Sequence, residues 1–208
     1  MNTLKIENIS FKYRDDRELL SNINFQLNNN EVVGLFGDSG SGKSTLCKVM
    51  SGYLENYKGN ITLNNKPIED GFNPVQLIFQ HPEKVMNPRW NMKKILNESW
   101  MPDKKILDDF GIKKEWFKRY PSELSGGELQ RFSILRSLNP KTKFIIADEI
   151  TTMLDCVTQV QIWTSLLKIA KENEVGILVV SHDHNLLNRI TVSGEYDLNK
   201  FIKKLNNK

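Results

Sequence analysis

The sequence predicts an α/β domain built on a mostly parallel sheet, with antiparallel strands at its N-terminus and a helical subdomain inserted late in the chain. Three observations predict it. Short apolar runs alternate with helical patterns, as in a sheet whose strands are joined by helices. The first thirty residues instead alternate apolar with polar, the mark of half-buried antiparallel strands. Residues 85–138 then turn helical between two apolar runs. The 208 residues suffice for one sizeable core with a small appended unit, so residues 1–208 read as a single domain.

The elements follow in order. The segment LKIENISFKY (4–13) alternates and is followed by Ile23, Phe25 and Leu27, while ITLNN (61–65) adds a further strand. The buried runs are residues 32–36, 75–79, 144–147 and 177–180, and each ends at a polar residue. Those ends are where an open α/β sheet places its chemistry. Within 85–138, Pro88, Pro102 and Pro121 punctuate the helices. Residues 158–173 form an amphipathic helix through Val160, Ile162, Trp163, Leu166, Leu167 and Ile169. The tail DLNKFIKKLNNK suggests a short basic amphipathic helix.

Composition narrows the class. Hydrophobic residues at 39% and charged residues at 26% are ordinary for a globular protein, which excludes a disordered chain. No apolar run reaches the ~18–20 residues that cross a bilayer, and MNTLKIENIS lacks a secretory h-region. Cys47 and Cys156 give neither a disulfide framework nor a metal-ligand spacing, which fits a reducing location. The net charge of +4 is concentrated: between Lys84 and Glu123 ten Lys/Arg face six Asp/Glu, and the remainder balances. That excess suits solvated helical faces, or a surface turned to a membrane or partner.

The strongest motif is GDSGSGKS (37–44), directly after the strand EVVGLF and before STLCKVMSG, the setting that a G-x-x-x-x-G-K-[ST] loop requires. Gly37, Gly40 and Gly42 let the backbone curl so that its N–H groups point inward at phosphate oxygens. Lys43 supplies a point charge for β/γ-phosphates, and the Ser44 hydroxyl can ligate Mg²⁺. The following helix N-terminus adds partial positive charge. The run 144–147 delivers Asp148 and then Glu149: an Asp there can hold Mg²⁺ through water, and the adjacent carboxylate can orient or deprotonate an attacking water. The fold is thus a P-loop NTPase (RecA-like) one.

LSGGELQR (124–131) decides the family. Here the chain resembles the ABC ATPases, whose signature is LSGGQ or a close variant, with Glu128 in place of the commonest Gln. Ser125, Gly126 and Gly127 open a helix with amides able to face a γ-phosphate. Ser125 and Glu128 also read as a plain capping box, and both readings can hold together. The resemblance implies that the signature residues Ser125, Gly126, Gly127 and Glu128 act on ATP held by another subunit. It implies that Gly37, Asp38, Ser39, Gly40, Ser41, Gly42, Lys43, Ser44 and Thr45 bind ATP, with Mg²⁺ as cofactor on Ser44, Gln80 and, through water, Asp148. Tyr13 in ISFKY matches the aromatic that stacks on adenine, although a strand aromatic also suits a core. Gln80 in LIFQHP matches the Q-loop glutamine, and His182 in VVSHD the switch histidine that joins Glu149 in catalysis. Asp155 in TTMLD matches the D-loop aspartate, although the family more often has SALD. His81 and His184 read as surface residues. After His182 only ITVSGEYDL stands in for the two strands the family usually places there.

Within the family, FQHPEKVMNPRWNM (79–92) and MLDCVTQVQIW (153–163) are most similar to the peptide, nickel and metallophore importer ATPases. That resemblance implies an ATP-hydrolysing subunit at the cytoplasmic face of the cell membrane. Its partners would be a second ABC ATPase subunit, in a heterodimer rather than a homodimer, two membrane-spanning permease subunits and an extracellular solute-binding protein. Nucleic acid is not expected. The alternatives are an exporter ATPase subunit, or a non-transport ABC ATPase acting on ribosomes or DNA. The latter usually carry two fused ATPase units or a long inserted coiled coil, and this chain has neither. Trp90 and Trp100, beside the pairs Lys93/Lys94 and Lys104/Lys105, suit either a docking surface or the core of the helical insert.

Overall fold

The computed structural model describes residues 2–13, 18–191 and 193–198. Two sheets divide the strands. The first joins β1 (Thr3–Lys12), β2 (Glu18–Asn28), β4 (Tyr57–Leu63) and β5 (Lys66–Pro67) in the order β2-β1-β4-β5, all antiparallel. The second joins β3 (Val32–Phe36), β6 (Val75–Ile78), β7 (Phe144–Asp148), β8 (Gly176–Val180) and β9 (Glu195–Asp197) in the order β6-β7-β8-β3-β9, all parallel. The helices are α1 (Lys43–Met50), α2 (Met92–Asn97), α3 (Lys104–Asp109), α4 (Gly126–Ser137), α5 (Cys156–Glu172) and α6 (His184–Ile190).

Sequence pattern explains the division. In β2, Leu20, Ile23, Phe25 and Leu27 turn inward while their neighbours stay wet, so one face of that sheet is solvated. In β7 and β8 every residue is buried, because a parallel sheet is covered on both faces. Two apolar clusters result. One lies between the two sheets and under α1, around Phe144, Ile146, Leu178 and Met50. The other lies beneath α4, α5 and the helices between β6 and β7, around Phe110, Phe132, Ile145 and Trp163.

The stretch between β6 and β7 contains α2, α3, α4 and three short 3-10 turns, with no strand among its residues. Asn91 and Asp103 cap α2 and α3 through their side chains, accepting from Lys94 N and Ile106 N. Trp100 packs inward, its indole N–H donating to Leu135 O at 2.7 Å. Trp90 is half-buried against the same core, with the Lys94 ammonium 4.2 Å from its ring centre. Both rings therefore contribute to packing.

Among the described residues of ITVSGEYDL, Glu195–Asp197 forms a strand, β9, which pairs with β3 in parallel. The basic helix expected of the tail lies outside the described residues. No helix among the described residues is long and apolar enough to cross a membrane.

Candidate functional site

The first half of the site grows from β3. The loop after it turns back at Gly40 (φ 79°) and Gly42 (φ 92°), left-handed conformations that favour glycine. A Cβ on Gly42 would also stand 2.9 Å from Leu20 Cδ2, so the β2 strand leaves no room for one. Lys43 follows, only 8% exposed, and its ammonium donates to the carbonyls of Gly37 (2.8 Å) and Asp38 (3.0 Å). The loop thus closes on its own lysine. The N-terminus of α1 carries no side-chain cap, which leaves its first N–H groups for an anion.

Three other strand ends converge there. Asp148 closes β7 beside the Ser44 hydroxyl, which works to hold its carboxyl down. Burial pushes its carboxyl above the usual carboxylate range. The Ser44 hydroxyl opposes that, the Glu149 charge adds to it, and the charges of Lys43 and Lys48 oppose it more weakly. Its Oδ1 is buried without a hydrogen-bond partner among the described residues. Glu149 sits at φ 50°, a strained left-handed conformation for a residue with a Cβ. Its carboxylate is held from two sides, by His182 Nδ1 at 3.1 Å from the end of β8 and by Gln80 Nε2 at 3.2 Å from the end of β6. Ser39, Gly40, Ser44, Gln80, Glu149 and His182 all border one open cleft of about 570 Å³.

Tyr13 lies at the edge of this group, half exposed, with its hydroxyl 3.3 Å from Thr45 Oγ1 and its ring edge-on to Phe11 at 4.9 Å. Leu19 also borders the cleft and was missed by motif reasoning. The signal for it was strand alternation: Leu20 faces the core, so Leu19 must face the other way.

The signature residues lie elsewhere. Ser125 caps α4, accepting from Glu128 N at 3.3 Å, while Glu128 Oε2 accepts from Ser125 N at 2.8 Å. They border a separate shallow cavity of about 280 Å³ with Lys113, Arg131 and Thr158, and no P-loop residue lines it. Arg131 ties α4 to its neighbours through Phe110 O and Gln161 Oε1. Asp155 caps α5, accepting from the Thr158 N–H and hydroxyl and from Val157 N, and the Thr158 bonds hold its carboxyl below the usual range. His81 and His184 stay outside the cleft lining, the first beside Glu83 and the second edge-on to Phe36.

A family model described as ABC transporter matches residues 20–152, more than half the chain. The chain belongs to the ABC transporter family. Within it, the chain is similar to the nickel import system ATP-binding protein NikE of Staphylococcus aureus strains N315 and USA300. Each is 32% identical over 200 residues, covering 90% of this chain and 83% of the relative. Among solved structures, an ATP-binding subunit of an ABC transporter superposes with a TM-score of 0.79 at 22% identity, over 92% of this chain and 84% of that one. A bacterial ABC transporter cassette solved as a dimer superposes at 0.76 and 23% identity, over 94% of both chains. At those identities the likeness establishes the fold. The protein is an ATP-binding, ATP-hydrolysing subunit of an ABC transporter, a class that binds ATP, dimerises and works with permease subunits.

Proposed function

We propose that this ABC ATPase powers import of nickel, a metal chelate or a peptide from the cytoplasmic face of the membrane, paired with a second, non-identical ATPase subunit and served by an extracellular solute-binding protein. The observation that carries it is the likeness to the nickel import ATP-binding proteins over nine-tenths of the chain. It agrees with the importer-like stretch FQHPEKVMNPRWNM after β6.

In this reading the P-loop residues 37–45 hold the triphosphate and Tyr13 takes the base. Lys43 must exchange its two carbonyl partners for phosphate oxygens, which replaces neutral acceptors by charged ones and strengthens the bond. Mg²⁺ fits the place beside Ser44. The Ser44 hydroxyl and the Gln80 amide oxygen are hard donors of the kind it prefers, and the orphaned, buried Asp148 oxygen would reach it through water. When bound, the ion supplies charge neutralisation on the phosphates. Glu149 accepts the proton of the attacking water or orients it, and His182, already on the same carboxylate, turns to the γ-phosphate. Ser125, Gly126, Gly127 and Glu128 meet the ATP of the partner subunit, and Asp155 shapes the turn between the two sites. The permease docks beside Gln80, on residues 81–100 and the helices that follow.

Deletion of the gene, with uptake of radioactive nickel and of labelled oligopeptide measured in the same cells, tests the cargo. Nickel uptake reduced several-fold with peptide uptake intact selects the metal branch. Uptake of both at wild-type levels removes the importer reading.

A further inference from the structure

The turn after β7 departs from the commoner SALD with TTMLD, and its first two threonines behave differently. Thr151 is buried and binds Gln159 and the Trp163 indole, a packing role. Thr152 is exposed, and its hydroxyl meets Gln80 and Glu149, two residues that line the cleft. That hydroxyl donates to the Glu149 carbonyl at 3.0 Å and accepts from Gln80 Nε2 at 3.3 Å. The same Gln80 nitrogen reaches Glu149 Oε2 at 3.2 Å. Three groups from the ends of β6 and β7 therefore close a small ring.

We infer that Thr152 is a positioning residue for hydrolysis, fixing the Glu149 carboxylate and the Gln80 amide relative to each other. The inference rests on the reading of Glu149 as the hydrolytic carboxylate. The left-handed backbone of Glu149 costs energy unless its surroundings hold it, and the hydroxyl on its carbonyl closes the turn that does so. One hydroxyl can donate to a carbonyl and accept from an amide at once through a single atom. The contact with Gln80 spans 72 residues of sequence, so it is not needed to form a local turn. With the amide nitrogen committed to Glu149 and Thr152, the amide oxygen of Gln80 is the atom left for another partner. Thr152 thus sets which end of the glutamine faces the nucleotide.

The test uses the full chain assembled with its partner subunits. Thr152→Val keeps the shape and removes the hydroxyl, and Thr152→Ser restores it. Losing the hydroxyl's two hydrogen bonds, to the Glu149 backbone carbonyl and from Gln80 Nε2, predicts a fall in kcat of about tenfold for the valine variant, with KM and ATP affinity within about twofold. Serine should recover most of the rate. In a Glu149→Gln background, Thr152→Val should cost nothing further. Wild-type kcat in the valine variant overturns the proposal. So does a serine variant as slow as valine, or a rate loss that comes with lost ATP affinity and a lower Tm. A dead Glu149→Gln beside a fully active Thr152→Val removes only the positioning role. Full activity in Glu149→Gln removes the base itself and this role with it.

Discussion

The P-loop cleft and the signature face use the same device, a helix N-terminus approached through glycines, but they are furnished differently. At α1 the N-terminal amides are uncapped, and Lys43, Asp148, Glu149, Gln80 and His182 gather around them from four strand ends. At α4 the amides are already engaged by Ser125 and Glu128, with Arg131 and Lys113 close by. The first region gathers a buried cation, open helix amides and two adjacent carboxylates, the groups suited to a triphosphate and its ion. The second holds a hydroxyl, free glycine surfaces and positive charge, but neither a P-loop nor a buried carboxylate for a metal. In the proposed function a head-to-tail pair of such chains would bring the partner's phosphate to it.

The largest expected effect sharpens the first half of that contrast. Glu149→Gln keeps the side chain's size and its bond geometry but removes the proton acceptor. Hydrolysis should fall by ~10²–10⁴-fold, the scale of a lost general base, while ATP binding by titration stays at wild-type strength. The variant should collect as an ATP-bound dimer on size-exclusion chromatography. A wild-type rate would move the catalytic carboxylate elsewhere.

Gly126→Asp addresses the second half. A Cβ at Gly126 meets nothing within 4 Å, whereas one at Gly127 stands 3.1 Å from Thr158 Cγ2, so Gly126 is the position that takes a side chain without strain. A carboxylate at a helix N-terminus is neutral or mildly favourable to the fold. Against a partner's γ-phosphate in a poorly solvated site it should cost several kcal/mol, so the assembled ATPase should slow by roughly 10²-fold or more. ATP affinity of the isolated chain should not change. If the isolated chain loses affinity, the two regions belong to one site and the contrast collapses.

How much of this was legible in the sequence depended on whether the physics acts between neighbours in the chain. GDSGSGKS had to be contiguous, because successive amides must wrap one phosphate, and the paired acids at 148–149 had to end a strand. Both could be read directly. The engagement of Glu149 by His182 and Gln80 joins three strand ends 33 and 69 residues apart, and motif order rather than spacing pointed to it. Thr152 and Leu19 were invisible to motifs. The role of Thr152 depends on a tight turn at a left-handed residue, and that of Leu19 on the register of a strand beside the P-loop. ITVSGEYDL was readable as strand, but its extent was not, since among the described residues the strand is three residues long and pairs with β3.

The smallest expected effect falls on Trp90, where sequence left two readings open. Paired lysines around an aromatic resemble a docking surface, yet Lys94 lies over the indole ring and that ring also packs on the core that holds Met92 and Ile95. A half-buried indole under a cation contributes through lost apolar exposure and a cation–π contact worth ~0.5–1 kcal/mol at an exposed site. Trp90→Ala should therefore lower stability by about 1–2 kcal/mol, visible as a drop of a few degrees in Tm, with ATP affinity of the isolated subunit unchanged. Lys94→Gln should reproduce only the cation–π part of that loss and leave the ring packed. If Trp90→Ala keeps its Tm but fails to co-purify with the permease, the ring belongs to the docking surface, and the lysines around it serve the partner rather than the fold.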